Sequence, residues 1–252
     1  MLVAAAVCPQ TPLLVPQIAG GAAGEMADVR GAASDAVNLL GAAKPDLLIV
    51  VAPGGEPGAR AVRLGGTFRR FGLDLAVGGV GTAEPCVGLL VGRWLLDSYY
   101  PVATSREGWE IGPTAALEGW EVGPDTGPGE CEAVGRALAA RSERVGLLVM
   151  GDGSARRTAK APGYLDERAV PFDDGVSRAF ATADAAALAA IDPEAASAVM
   201  AAGRAPWQVL AGAVSASGGN GSGQPWRGRL LSYEAPYGVG YFCAFWEPAP
   251  RG

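Results

Sequence analysis

The side chains with chemical potential in this 252-residue chain gather in short loops that follow apolar, strand-like runs. The first loop is Cys8-Pro9-Gln10-Thr11-Pro12, where Gln10 stands between two prolines just past the run Val3 to Val7. Three further loops follow similar runs: Pro53-Gly54-Gly55-Glu56, Gly151-Asp152-Gly153-Ser154-Ala155, and Tyr233-Glu234-Ala235-Pro236. In an open α/β sheet, ligands bind in the crevice outside the carboxyl ends of the strands. Polar groups in such loops are therefore candidates for binding or catalysis, with Gln10 first among them. A nucleophile can be sought in Cys8 or Ser154, but the chain has no histidine to activate either one. Arg156-Arg157 beside Ser154 offers charge for an anion, although loop arginines are more often solvated or ion-paired.

The missing imidazole narrows the function classes further. With His at 0, there is no imidazole metal ligand, no histidine general base and no Ser-His-Asp triad. The net charge of −6 argues against nucleic acid as a partner, because phosphates need a basic face, and against an anionic membrane surface. No apolar run reaches the roughly 20 residues that span a bilayer. The first apolar run has no basic region before it, so it reads as a strand rather than a signal peptide. Cys8, Cys86, Cys131 and Cys243 lack CxxC spacing, which argues against a zinc site or a disulfide framework. Reduced, buried thiols in a cytoplasmic protein are the expectation.

The elements that must position these loops alternate between strand and helix patterns. Glu25 to Ala43 carries Met26, Val29, Ala33, Val37 and Leu40 on one helical stripe. Asp46 to Ala52 is a short apolar run that fits a strand buried on both faces. Together with the first strand they form a βαβ unit. Helices are predicted over 85–99, 130–141, 172–181, 183–191, 193–202 and 205–216, a further buried strand over 145–150, and a closing strand pair over 229–233 and 239–246. Gly78-Gly79-Val80-Gly81 is glycine-rich but lacks phosphate-loop spacing, so a flexible loop is the better reading. Gly108-Trp109-Glu110-Ile111-Gly112-Pro113 is nearly repeated as Gly119-Trp120-Glu121-Val122-Gly123-Pro124. This reads as two short strands of a hairpin or an elaborated loop, a surface insertion over about 105–128, with a lid or partner surface around Trp109 and Trp120 as the functional alternative. The pattern predicts one three-layer α/β/α domain over 1–252, with a central, mostly parallel mixed sheet flanked by helices.

The order and spacing of these loops, with Pro16-Gln17-Ile18-Ala19-Gly20-Gly21 and the stretch Ala202 to Gly212, resemble the catalytic (B) subunit, or LigB-like, family of class III extradiol ring-cleavage dioxygenases. The pattern is similar to an actinobacterial branch of that family, and the resemblance covers nearly the whole chain. It implies a LigB-like fold and a site where two histidines and a glutamate hold iron(II), with a further histidine as acid/base. At the first histidine position this chain has Gln10, and near the second the polar residue is Glu56. The acid/base pattern Asp-x-x-His reads Asp152-Gly153-Ser154-Ala155, with alanine in place of the histidine. Glu234 matches the late carboxylate ligand.

Two readings follow from that comparison. In the first, the chain keeps the family fold and cleft but lacks iron and ring cleavage, and serves a binding or regulatory role. In the second, Gln10, Glu56, Asp152 and Glu234 converge as oxygen ligands, a set that suits Mg²⁺, Mn²⁺ or Ca²⁺ better than redox iron. Asp152 and Glu234 then stand as the acid/base candidates for a hydrolase or lyase step. The expected partners are a small molecule in the cleft and a second copy or another subunit.

Overall fold

The structure is a computed structural model that describes residues 1–56, 58–78, 85–99, 103–104, 110–111, 116–218 and 224–250. In chain order the elements begin with β1 (Leu2–Cys8), α1 (Pro16–Ala19), α2 (Ala27–Ala42), β2 (Leu47–Pro53), β3 (Ala59–Val62), β4 (Gly66–Thr67) and β5 (Ala76–Val77). They continue with α3 (Val87–Tyr99), β6 (Ala103–Thr104), β7 (Glu110–Ile111), β8 (Ala116–Val122), α4 (Pro128–Ala139) and β9 (Val145–Met150). The last are α5 (Ala169–Thr182), α6 (Ala185–Ala189), α7 (Pro193–Ala198), α8 (Arg204–Ala216), β10 (Trp226–Glu234) and β11 (Tyr241–Pro248).

Seven strands form one sheet in the order β10-β11-β1-β9-β2-β8-β3. The four central strands, β1, β9, β2 and β8, run parallel. The outer strands β11, β10 and β3 pair antiparallel to their neighbours, so the sheet is mixed. β9 lies between β1 and β2, so the two strands of the predicted βαβ unit belong to one sheet without touching.

The strands alternate their side chains between two apolar layers, as a period of two requires. Ala4, Ala6, Cys8, Leu48, Val50, Leu148 and Met150 face α2 and α3. Ala5, Val7, Ile49, Val51, Leu147 and Val149 face α4, α5, α6 and α8. This double-sided burial explains why β2 and β9 read as unbroken apolar runs.

The Trp-Glu repeat departs from its expected place. Its second copy is not part of a surface hairpin, because Gly119 to Val122 form the end of β8, paired in parallel with Val50 to Pro53 of β2. Strand pairing outweighed the glycine-rich flanks that suggested an insertion. Trp120 is half-buried and packs on the core layer around α8, so it offers no exposed patch. Trp109, and Gly79-Val80-Gly81 of the glycine-rich stretch, lie outside the described residues.

α4 and α8 pack through glycine. A Cβ on Gly135 would stand 1.9 Å from the Val209 carbonyl oxygen, and one on Gly212 would stand 2.2 Å from the Glu132 carbonyl oxygen. Both distances are well inside van der Waals contact with backbone, which cannot rotate away. Gly212→Ala is therefore expected to cost about 3 kcal/mol in urea denaturation, the upper end of overpacking. Gly31→Ala, at an exposed α2 position with open space around it, is expected to gain up to about 1 kcal/mol.

Candidate functional site

The site is built by two adjacent parallel strands that end level. Cys8 of β1 pairs with Met150 of β9, and the Gly151 N–H donates to the Cys8 carbonyl at 3.0 Å. The chain leaves both strands at this edge, so Gln10 and Asp152 come side by side. The Gln10 N–H donates to Asp152 Oδ1 at 2.9 Å, and the Thr11 backbone also bonds this carboxylate. The Asp152 carbonyl in turn accepts the Gly203 N–H at 2.9 Å, which ties the start of α8 to the same corner.

Around this pair opens a cleft of about 380 Å³, a size that suits a small ligand. Its walls are mainly apolar, from Pro12, Leu13, Val87 and Val239, and its polar groups come from Gln10, Thr11, Asp152, Tyr237 and Tyr241. Burial pushes the Asp152 carboxyl up to about 7, against the pull of the Gln10 and Thr11 backbone N–H groups. Burial, with the Asp152 charge beside it, pushes the Tyr241 phenol up to about 12. At neutral pH Tyr241 is thus a hydrogen-bond donor, and Asp152 is divided between acid and base.

Gln10 is held by the close approach of α3. A Cβ on Gly88 would lie 2.7 Å from the Ala52 methyl and 3.1 Å from Gln10 Oε1. Glycine at the first turn of α3 therefore lets the helix press on the sheet edge and set one wall against the Gln10 amide.

Of the four candidates for a shared oxygen site, Gln10 and Asp152 line this cleft, whereas Glu56 and Glu234 do not. Glu56 is exposed in the loop beyond β2, and Glu234 is exposed at the end of β10, two strands out from β1. Ala155 lines the cleft and supplies no donor or acceptor from its side chain. Among the described residues, no three His, Cys, Asp or Glu side chains come together as a metal ion would need. This donor set does not fit the iron site that the resemblance implies.

The nucleophile candidates are occupied elsewhere. Ser154 is fully buried, and its Oγ donates to Asp173 Oδ2 at 2.7 Å while its N–H donates to Oδ1 at 2.8 Å. Arg157 pairs with the same carboxylate at 3.2 Å and lies over the Tyr233 ring. Arg156 donates to the Gly163 and Ala198 carbonyls at 2.8 and 2.9 Å. Cys8 is buried against α2.

Sequence reasoning missed Glu121, which is 4% exposed at the end of β8. It accepts the Cys86 N–H at 2.7 Å and pairs with Arg60 at 2.8 Å. Burial opposes its charge, but Arg60 and the Cys86 N–H outweigh that and hold the carboxyl below its ordinary value. The Trp-Glu repeat was the only signal, and the surface reading of that repeat hid it. Met200 lines the cleft at 49% exposure, and Tyr164 and Leu165 stand beyond the lining residue Pro162 at 74% and 56%. Met200 and Tyr164 both hold positive φ, 58° each, an uncommon conformation for residues with side chains.

No protein-family model matches this chain, and no curated protein matches it. Among solved structures, the chain is similar to an uncharacterized protein, JW3007, from Escherichia coli K12, at 14% identity and a TM-score of 0.48. The likeness covers 97% of this chain and 99% of that one. No helix among the described residues is long and apolar enough to cross a membrane.

The raised Asp152 pKa makes a prediction about stability. The folded state holds this proton more tightly than the unfolded state, so stability falls as pH rises from about 4 to about 7. Asp152→Asn keeps an oxygen for the Gln10 N–H and removes the buried charge. Its melting temperature should exceed that of the wild type at pH 8, and the difference should shrink below pH 4. Equal pH profiles for the two proteins would contradict the assignment.

Proposed function

We propose that this chain is a LigB-like homologue without the family's iron chemistry, and that its cleft binds a small, largely apolar molecule through Asp152, Tyr241 and the Gln10 loop. The observation that supports this reading is the polar lining of the cleft, which offers the Asp152 carboxyl, the Gln10 amide, the Thr11 hydroxyl and the Tyr237 and Tyr241 phenols, and no imidazole. Gln10 is a poor iron ligand, and Ala155 cannot transfer a proton. That loss supports a binding or regulatory role, and the four free cysteines support a cytoplasmic setting for it. An all-oxygen site for Mg²⁺, Mn²⁺ or Ca²⁺ has little support, because Glu56 and Glu234 stand apart from the cleft.

One observation favours a second, catalytic reading. A carboxyl with a pKa of about 7 is matched to proton transfer at neutral pH. In that reading Asp152 alone gives and takes the proton, Tyr241 donates a hydrogen bond to a developing negative charge, and the Thr11 and Gln10 N–H groups hold the carboxylate in place.

The test uses purified full-length protein incubated with Fe(II) under anaerobic conditions and then given catechol and oxygen. The expected result is substoichiometric iron after gel filtration and no ring-cleaved product. One iron per chain together with product would sink the proposal. Catechol is also the binding probe: it should raise the melting temperature of the wild type at pH 6, with at least a tenfold weaker response in Asp152→Asn.

A further inference from the structure

A second cavity, of about 640 Å³, opens at the ends of β2 and β8, on the far side of the loop that leads into α8. It shares only Ala202 with the cleft described above, so nothing about it depends on that cleft's role. Arg204, the first residue of α8, forms part of its wall and is 4% exposed.

The bonding of Arg204 is unusual. Its Nη1 donates to the Thr126 carbonyl at 2.6 Å and to Gln208 Oε1 at 3.0 Å, and its Nη2 donates to the Pro124 carbonyl. Nη1 also lies 3.9 Å from Cys131 Sγ, a thiol that burial pushes up to about 11, so all four acceptors are neutral at pH 7. None of the ion pairs among the described residues involves Arg204. Buried charges are paired as a rule. Two helix N-termini at the cavity also add to this charge. Arg204 sits at the N-terminus of α8, and Gly127 brings the N-terminus of α4 to the same cavity.

A guanidinium has five N–H donors. Nη1 uses both of its hydrogens and Nη2 one, which leaves Nε–H and the second Nη2 hydrogen without a protein acceptor among the described residues. Arg204 lines the cavity, and its Nε does not belong to the sealed, unpartnered atoms of the interior. The guanidinium is also held still. Gln208 Nε2 donates to the Ala189 and Ile191 carbonyls at 3.1 and 2.9 Å, and that fixes its Oε1 toward Arg204.

We propose that this cavity binds a small, singly charged carboxylate, with its two oxygens on the free Nε and Nη2 donors of Arg204. Paired donors of this kind match the spacing of a carboxylate's oxygens. The single charge follows from the rest of the lining. Asp125 and Glu194 stand exposed around the cavity and repel polyanions more strongly than a monoanion.

The experiment is a thermal-shift titration of the full chain at constant ionic strength with sodium propionate, phosphate or chloride. Propionate should raise the melting temperature in a saturable way, and chloride should not. Arg204→Lys should weaken the propionate response at least tenfold, because a lysine lacks the paired donors. Arg204 also holds two loops, so a second variant guards against misfolding. Ser197→Glu places a carboxylate on the exposed cavity wall without touching any Arg204 bond, and it too should weaken the response at least tenfold. A propionate response no larger than that of chloride would overturn the proposal, as would full retention of the response in Ser197→Glu. A phosphate response stronger than that of propionate would overturn the carboxylate assignment.

Discussion

The hydrogen bond from the Gln10 N–H to Asp152 is the contact on which the cleft depends. It joins the ends of β1 and β9, and in the fraction of molecules with Asp152 ionised the acceptor is charged and the bond is stronger than one between neutral groups. Because the Asp152 carbonyl also holds Gly203, one residue sets the relation between the first loop, the β9 loop and the start of α8. The same residue pays with a disfavoured charge. Structural tie and proton-holding group are therefore one side chain, and an amide in its place would keep the first role and lose the second.

The two cavities use opposite electrostatic solutions along one sheet edge. In the cleft, a carboxyl is enclosed among apolar side chains and drifts toward its neutral form. In the second cavity, a guanidinium cannot drift that way, because it does not deprotonate in proteins. It is solvated by fixed carbonyls instead. Further along the edge, Glu121 keeps its charge by pairing with Arg60, and so it fastens β3 and the start of α3 to β8. A carboxylate is thus neutralised, paired or left to respond to pH according to its neighbours, not its residue type.

Much of the fold was legible because apolar runs mark strands buried on both faces. β1, β2 and β9 were placed within a residue or two, as were α2, α3 and α8. The mixed three-layer arrangement followed from their alternation. β8 was not legible: Gly119, Trp120 and Glu121 break the apolar pattern, and only pairing with β2 makes a strand of them. The site was half legible. Gln10 and Asp152 follow adjacent strands, and their proximity comes directly from that adjacency. Glu56 and Glu234 also follow strands, yet sequence position gives no measure of distance across the sheet or of which way a loop turns. Arg204 was passed over because a helix-starting arginine is normally solvated, and nothing local reveals that the loop over 124–126 and α4 will close over it.

The strand order also governs how the chain reaches this structure. β1 has no partner until β9, residues 145–150, arrives on one side and β11, residues 241–248, arrives on the other. The sheet therefore cannot grow outward from its first strands as the chain lengthens. Its centre is completed by segments far apart in sequence, a topology whose loop-closure entropy slows folding. Until those segments dock, β1 and β2 expose unpaired backbone on apolar strands, the condition that favours association between chains. The arrangement that sets Gln10 beside Asp152 thus draws the cleft from segments 142 residues apart in the chain.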